Sequence, residues 1–158
     1  MTAVGGGSRL TPLMVQIHAT CVDVDGVGVL LRGPPGSGKS DLALRLISDG
    51  ALLVADDRAV LTADGGRLTV SPPSEIAGLI EVRGLGVLRF EYRDKAPLGL
   101  VLDLVPATTV ERLPAAGTCE FLGIALPLWR LAPFEASAAA KVRLAVGVAK
   151  GDIMPAHE

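Results

Sequence analysis

The sequence contains Gly33-Pro34-Pro35-Gly36-Ser37-Gly38-Lys39-Ser40, which has the spacing of a phosphate-binding loop, or P-loop. Its glycines let backbone N–H groups approach phosphate oxygens without a Cβ in the way. The helix expected to begin near Lys39 directs its positive end at the same phosphates. Lys39 is expected to reach the β- and γ-phosphates, and Ser40 to offer its hydroxyl to Mg²⁺. We therefore predict that all eight residues bind a nucleotide.

The segment before the P-loop predicts a β-hairpin. Cys21–Val24 alternates between apolar and polar positions, Asp25-Gly26 is a strong turn signal, and Val27–Leu31 is a nearly continuous apolar strand. The first strand must then run antiparallel to the strand that enters the P-loop, whereas the commonest P-loop folds flank that strand with parallel neighbours. The hairpin thus predicts an α/β domain with a mixed, partly antiparallel sheet.

The segments after the P-loop alternate between helix and strand patterns within a single domain. Residues 1–12 and 151–158 lack apolar periodicity and are predicted to be flexible tails, which leaves residues 13–150 as the P-loop domain. Helices are predicted at Ser40–Ser48, Ser74–Ile80 and Phe134–Val146. Strands are predicted at Leu52–Ala55, Val60–Thr62, Arg67–Val70, Val87–Phe90 and Leu98–Leu104, with another inside Phe121–Leu131.

The composition argues against several classes of protein. The chain has 158 residues and a formal net charge of −2, and only 3% of its residues are aromatic, so we expect no nucleic-acid partner. No apolar run reaches the ~18 residues of a membrane span, and the N-terminus does not resemble a secretory signal. Cys21 and Cys119 lack metal-ligand spacing, and we interpret them as core residues in a reducing cytoplasm.

Two adjacent acids, Asp56 and Asp57, are candidate catalytic residues. They follow the apolar strand Leu52–Ala55 and come soon after the P-loop. In P-loop enzymes an acid in this position holds Mg²⁺ directly or through water. Two acids together permit a division of roles, with one near the metal and the other acting as base for an incoming hydroxyl. An isolated Asp-Asp would indicate only a solvated turn. The short separation in sequence from the P-loop favours a catalytic role for these two acids.

Two further elements are less specific by themselves. The segment Glu81-Val82-Arg83-Gly84-Leu85-Gly86 joins an acid, an arginine and two glycines between a predicted helix and a predicted strand, where loops often serve sites. It could equally be a helix end and a turn. His18 precedes the first hairpin, and a single histidine of this kind is usually structural.

Taken in order and spacing, these elements resemble the catalytic domain of HPr kinase/phosphorylase. The resemblance rests on Ile17-His18, Val27–Leu30, the P-loop, Val54–Arg58 and Glu81–Gly86, and it extends from about Ile17 to Val146. It implies a fold similar to that of phosphoenolpyruvate carboxykinase. It also implies a kinase that uses ATP to phosphorylate a serine of HPr, the phosphocarrier protein of the bacterial sugar phosphotransferase system. The family further implies a cytoplasmic homo-oligomer, hexameric in its well-known members.

The resemblance also assigns roles to individual residues. It implies that Asp57 is the proton acceptor, that Lys39 is a catalytic residue that binds phosphate, and that Ser40 and Glu81 are ligands of Mg²⁺. His18 would belong to the catalytic site. The short segment Val110-Glu111-Arg112-Leu113 resembles the one that carries a catalytic arginine, which nominates Arg112.

One segment departs from the family. Family members carry a late Gly-Arg-Asn segment linked to the reverse, dephosphorylating reaction, whereas residues 133–138 of this chain contain no arginine. A phosphate ion held beside a phosphoryl group needs a dedicated cation, and Glu135 would repel it. We therefore expect a kinase with little or no phosphorylase activity.

Two alternatives remain open. Gly-Pro-Pro-Gly-Ser-Gly-Lys-Ser is also typical of small-molecule P-loop kinases, although the arginines here are scattered rather than grouped in a lid. A nucleotide-binding sensor without catalysis is the other alternative, and the presence of His18, Lys39, Asp57 and Glu81 argues against it. A regulatory GTPase is excluded, because its Asn-Lys-x-Asp motif requires asparagine and the chain has none.

Overall fold

The structure is a computed structural model that describes residues 13–156, so the predicted tail at residues 1–12 and the last two residues lie outside it. The helices are α1 (Lys39–Ser48) and α2 (Ala138–Lys150). The strands are β1 (Leu13–Ile17), β2 (Thr20–Val24), β3 (Val27–Arg32), β4 (Leu52–Ala55), β5 (Ala59–Asp64), β6 (Arg67–Ser71), β7 (Leu79–Val82), β8 (Gly86–Arg89), β9 (Ala96–Leu104), β10 (Gly117–Phe121) and β11 (Ile124–Leu131).

The P-loop strand β3 lies between one antiparallel and one parallel neighbour. Leu30 of β3 is opposite Cys21 of antiparallel β2 and also pairs with Val101 of parallel β9. Since β4 is also antiparallel to β2, it runs in the same direction as β3, and β11 runs parallel to β9. The predicted α/β fold with a mixed, partly antiparallel sheet is confirmed. Strands β3, β4, β9 and β11 all end at the same edge of the sheet, where open α/β sheets bind their ligands.

The two faces of the sheet bury separate hydrophobic clusters. One face packs beneath both helices, with Val29, Leu31 and Leu102 from the sheet against Leu42 of α1 and Val142 of α2. The other face is covered by strands that fold back over it, and its buried residues include Leu30, Val54, Leu61, Val70 and Val101. The pleat sends successive residues of β3 to opposite faces, so this strand is fixed from both sides.

Two predicted helices differ from the structure. The helix predicted at Ser74–Ile80 is wrong beyond a single 3-10 turn at Ser74–Ile76. Gly78 has φ +77°, and the chain then enters β7, which pairs with β8 in a separate two-stranded hairpin. The C-terminal helix begins at Ala138 rather than Phe134, and the segment before it is held by hydrogen bonds from the Arg45 guanidinium to the carbonyl oxygens of Pro133 and Glu135. Among residues 13–156, no helix is long and apolar enough to cross a membrane.

Candidate functional site

The P-loop leads from the end of β3 directly into α1. Gly36 and Gly38 have φ angles of +82° and +99°, which residues with a side chain rarely adopt. The Lys39 ammonium donates hydrogen bonds to the carbonyl oxygens of Gly33 (2.6 Å) and Pro34 (3.2 Å). The lysine is therefore folded over the loop, within reach of any phosphate that the backbone N–H groups bind.

The carboxylate of Asp56 joins three elements of the fold. Its Oδ1 accepts hydrogen bonds from the hydroxyl of Ser40, at the start of α1 (2.7 Å), and from the hydroxyl of Thr20, on β2 (3.0 Å). Asp56 itself follows β4 and is buried. A buried carboxylate must be paired or hydrogen-bonded to be tolerated. The two hydroxyls meet that need and fix the end of β4 against the beginning of α1.

Burial raises the pKa of the Asp56 carboxyl above its usual value, because removal from water disfavours the charged form. The hydrogen bonds from Ser40 and Thr20 oppose this shift, since they stabilise the carboxylate. The neighbouring Asp57 carboxylate raises the pKa further, and the Lys39 ammonium lowers it. The charge state of Asp56 therefore depends on the groups that surround the P-loop.

Asp57 is held in an uncommon backbone conformation. Its φ is +70°, in the left-handed region that Asp tolerates better than most residues. The N–H of Asp57 donates to the Thr20 hydroxyl (3.1 Å), and its carbonyl oxygen accepts from the N–H of Ala19 (3.1 Å). This turn buries the Asp56 side chain and leaves Asp57 exposed. Such conformations persist where the surroundings enforce them, and they concentrate at functional sites.

A cleft of about 430 Å³ brings four of the predicted site residues together, and we call it the acid cleft. Ser40, Asp56, Asp57 and Glu81 line it, along with Arg58, Ile76, Leu79 and Val87. Glu81 lies on β7 opposite Val87 of β8, not in a loop as the sequence suggested. The β7–β8 hairpin thus forms the wall of the acid cleft that faces the end of β4.

The oxygen donors in the acid cleft suit Mg²⁺. Among residues 13–156, no group of three or more His, Cys, Asp or Glu side chains is arranged to hold a metal ion. Mg²⁺ does not need such a cage, since it keeps several waters and is bound by one or two carboxylates together with substrate phosphates. The Ser40 hydroxyl and the Glu81 carboxylate in one cleft beside the P-loop fit that pattern.

Apart from residues 33–39 of the P-loop, two predicted site residues lie outside the acid cleft. His18 is exposed in the turn between β1 and β2, and the N–H of its neighbour Ala19 donates to the carbonyl oxygen of Asp57. Arg112 is exposed in the segment between β9 and β10 and does not line the acid cleft. Their roles remain predictions from the family resemblance.

Sequence reasoning missed Thr20, although it is fully buried and bonded to both acids. A hydroxyl at the start of β2 was the available signal, but a buried threonine in a strand is too common to identify a site. Its partners lie 36 and 37 positions away, so only the pairing of β2 with β4 reveals its function.

Comparison with known proteins shows which family this chain is similar to. The sequence model described as HPr Serine kinase C-terminal domain matches residues 10–127. A Prosthecochloris aestuarii protein named HPr kinase/phosphorylase is 38% identical over 128 residues, which are 73% of this chain and 38% of that protein. The Bordetella pertussis protein of the same name is 41% identical over 130 residues, 75% of this chain and 42% of that protein.

A solved structure is also similar. It is described as the HPr(Ser) kinase/phosphatase from Coxiella burnetii, with a TM-score of 0.78 and 26% sequence identity. The match covers 87% of this chain and 97% of that one. By contrast, the present chain spans only about two fifths of the length of the curated relatives it matches.

The Thr20 hydroxyl gives a prediction about stability. Thr20→Val keeps the shape of the side chain but leaves the Asp57 N–H without its acceptor and Asp56 with one donor fewer, so the free energy of unfolding should fall by about 1–3 kcal/mol at pH 7. The pKa of Asp56 should also rise further. The folded state then holds its proton to higher pH, so stability is lost as the pH rises through that pKa.

The test is urea unfolding at pH 7 and at about pH 4, near the ordinary pKa of Asp. Thr20→Val should lose less stability at the lower pH, where protonation removes the cost of the buried charge. Thr20→Ser, which keeps the hydroxyl, is the matched control. Equal losses in the Val and Ser variants would contradict the role of the hydroxyl.

Proposed function

This chain belongs to the HPr serine kinase C-terminal domain family, and we propose that it transfers the γ-phosphoryl group of ATP to a serine hydroxyl of an HPr-type phosphocarrier protein. One observation carries the proposal: Asp57 stands exposed at the end of β4, in the same cleft as Ser40 and Glu81 and directly beside the P-loop. A base in this position is accessible to a hydroxyl on the surface of another protein.

Asp57 acts as the base in this proposal. Its carboxylate accepts the proton of the serine hydroxyl while the serine oxygen attacks the γ-phosphorus, and the bond from that phosphorus to the bridging oxygen of ADP breaks. Asp56 cannot take this role, because its side chain is buried and Oδ1 is engaged by Ser40 and Thr20. The two adjacent acids thus have different tasks, as their different exposure suggests.

Lys39 and the metal ligands stabilise charge. The Lys39 ammonium, now bonded to two loop carbonyls, can exchange those partners for phosphate oxygens, which are stronger acceptors. Ser40 and Glu81 would hold Mg²⁺, which neutralises charge on the phosphates when bound. Asp56 orients the Ser40 hydroxyl through its hydrogen bond, and it can contact the metal through water.

We also propose that the reverse, dephosphorylating reaction is weak. The loop between β11 and α2 presents Glu135, whose carboxylate forms an ion pair with Lys141 (3.0 Å). The cation nearest that loop on α2 is therefore partly neutralised. A free phosphate ion would need an unpaired cation there to be held beside the phosphoserine.

The role of Asp57 is tested by Asp57→Asn. The left-handed backbone accepts Asn as well as Asp, so the fold should be retained. ATP binding should stay within a few-fold, whereas phosphotransfer to HPr should fall about 100-fold or more, the usual scale for a lost general base. The measurements are calorimetric titration with ATP and transfer of label from γ-labelled ATP.

Asp64→Asn is the control for Asp57→Asn, because it removes an exposed acid at the end of β5, away from the acid cleft. It should transfer phosphate at the wild-type rate. Phosphotransfer by Asp57→Asn at that same rate would show that Asp57 is not the base. A wild-type protein that binds ATP but phosphorylates no carrier would favour the nucleotide-binding sensor instead.

Glu81 is tested through the metal. Ionised carboxylates are better ligands for hard cations than amides are, so Glu81→Gln should raise the Mg²⁺ concentration that gives half-maximal phosphotransfer by about 10-fold. Glu91→Gln, a change at an exposed acid outside the acid cleft, is the matched control. A Mg²⁺ titration curve unchanged in Glu81→Gln would reduce Glu81 to a structural residue of the hairpin.

A further inference from the structure

A second cleft lies against the P-loop and shares no lining residue with the acid cleft; we call it the apolar cleft. Its volume is about 650 Å³, within the range of pockets that bind small molecules. Three segments form it: residues 34–37 of the P-loop, residues 104–107 from the last residue of β9 onward, and residues 132–135 after β11. All three follow strands that end at the same edge of the sheet.

The lining of the apolar cleft suits a flat ring with little charge. Pro34, Pro35, Pro106 and Pro133 contribute apolar surface, and the ring of Phe134 completes the wall. Phe134 is 70% exposed, so one of the three phenylalanines of this chain presents most of its surface to solvent. An exposed aromatic ring beside a polar, glycine-rich loop costs solvation free energy, which a stacking partner would recover.

The walls of the apolar cleft are held in place by contacts outside it. The Arg45 guanidinium, on α1, donates to the carbonyl oxygens of Pro133 and Glu135 and so fixes the segment that carries Phe134. Arg32 and Asp103, at the ends of β3 and β9, form a two-point ion pair of 2.7 and 3.1 Å. These contacts set the P-loop and the segments after β9 and β11 relative to one another, so the cleft is already formed.

We propose that the apolar cleft binds the adenine base of the nucleotide, with the Phe134 ring as its stacking surface; this inference rests on the proposed function. The order of the strands indicates in which direction the nucleotide lies across the P-loop. β4, which carries the acids, is on the β2 side of β3, so the γ-phosphate belongs on that side of the P-loop. A nucleotide that extends across the loop then places its base on the β9 side, where the apolar cleft opens.

The test compares ATP with inorganic tripolyphosphate, which has the phosphates but no base. Phe134→Ala should weaken ATP binding by about 5- to 100-fold, the range for loss of one base–aromatic stack, and leave tripolyphosphate binding within about two-fold. Phe134→Trp should retain ATP affinity. Ala107→Trp, which places a large side chain on the exposed wall of the cleft, should likewise weaken ATP alone.

The control variant is Leu144→Ala, which removes an exposed apolar side chain of α2 that does not line the apolar cleft. It should bind both ligands as the wild type does. Calorimetric titration and a thermal unfolding curve for each variant separate lost binding from lost folding.

Three results would overturn the inference. ATP affinity could remain at the wild-type value in both Phe134→Ala and Ala107→Trp, or both ligands could weaken equally in Phe134→Ala. The wild-type protein could also bind tripolyphosphate as tightly as ATP. Each of these leaves the kinase proposal intact, whereas a wild-type protein that binds neither ligand would defeat the proposed function and this inference together.

Discussion

The buried carboxylate of Asp56 must find hydrogen-bond donors, because an unpaired charge inside the fold would cost several kcal/mol. It finds them in the hydroxyls of Ser40 and Thr20, which belong to α1 and β2. The same threonine then holds the N–H of Asp57. One satisfied buried charge thus fixes the start of the P-loop helix, orients the Ser40 hydroxyl, which we propose as a ligand of Mg²⁺, and turns the second acid outward toward solvent.

The directions of the strands explain why a different cleft lies on each side of the P-loop. Because β2 lies between β3 and β4 in the sheet and is antiparallel to both, the loops after β3 and β4 lie at one edge of the sheet. On the other side, parallel pairing of β9 with β3 and of β11 with β9 brings two more segments to that edge. The P-loop therefore lies between an acid cleft and an apolar cleft. The acid cleft is suited to phosphoryl chemistry, and the apolar cleft is suited to the part of a ligand that does not react.

Local signals in the sequence predicted the parts of the site that are local in the chain. The P-loop, helix α1 and the hairpin of β2 and β3 follow from glycine spacing, apolar periodicity and Asp25-Gly26. The helix predicted through Ile80 failed because pairing with β8 outweighs the weak helical pattern after Gly78. Phe134 and its cleft could not be predicted, since β9, β11 and the P-loop approach one another only in the folded protein.

The account depends on the acid cleft and the P-loop acting together on a protein substrate. The most direct test incubates the wild-type chain with γ-labelled ATP, Mg²⁺ and purified HPr, and then locates the label by mass spectrometry of HPr peptides. The account predicts stable label on a serine of HPr, dependent on Mg²⁺. Hydrolysis of ATP without label on HPr, or label only on a histidine, would contradict it.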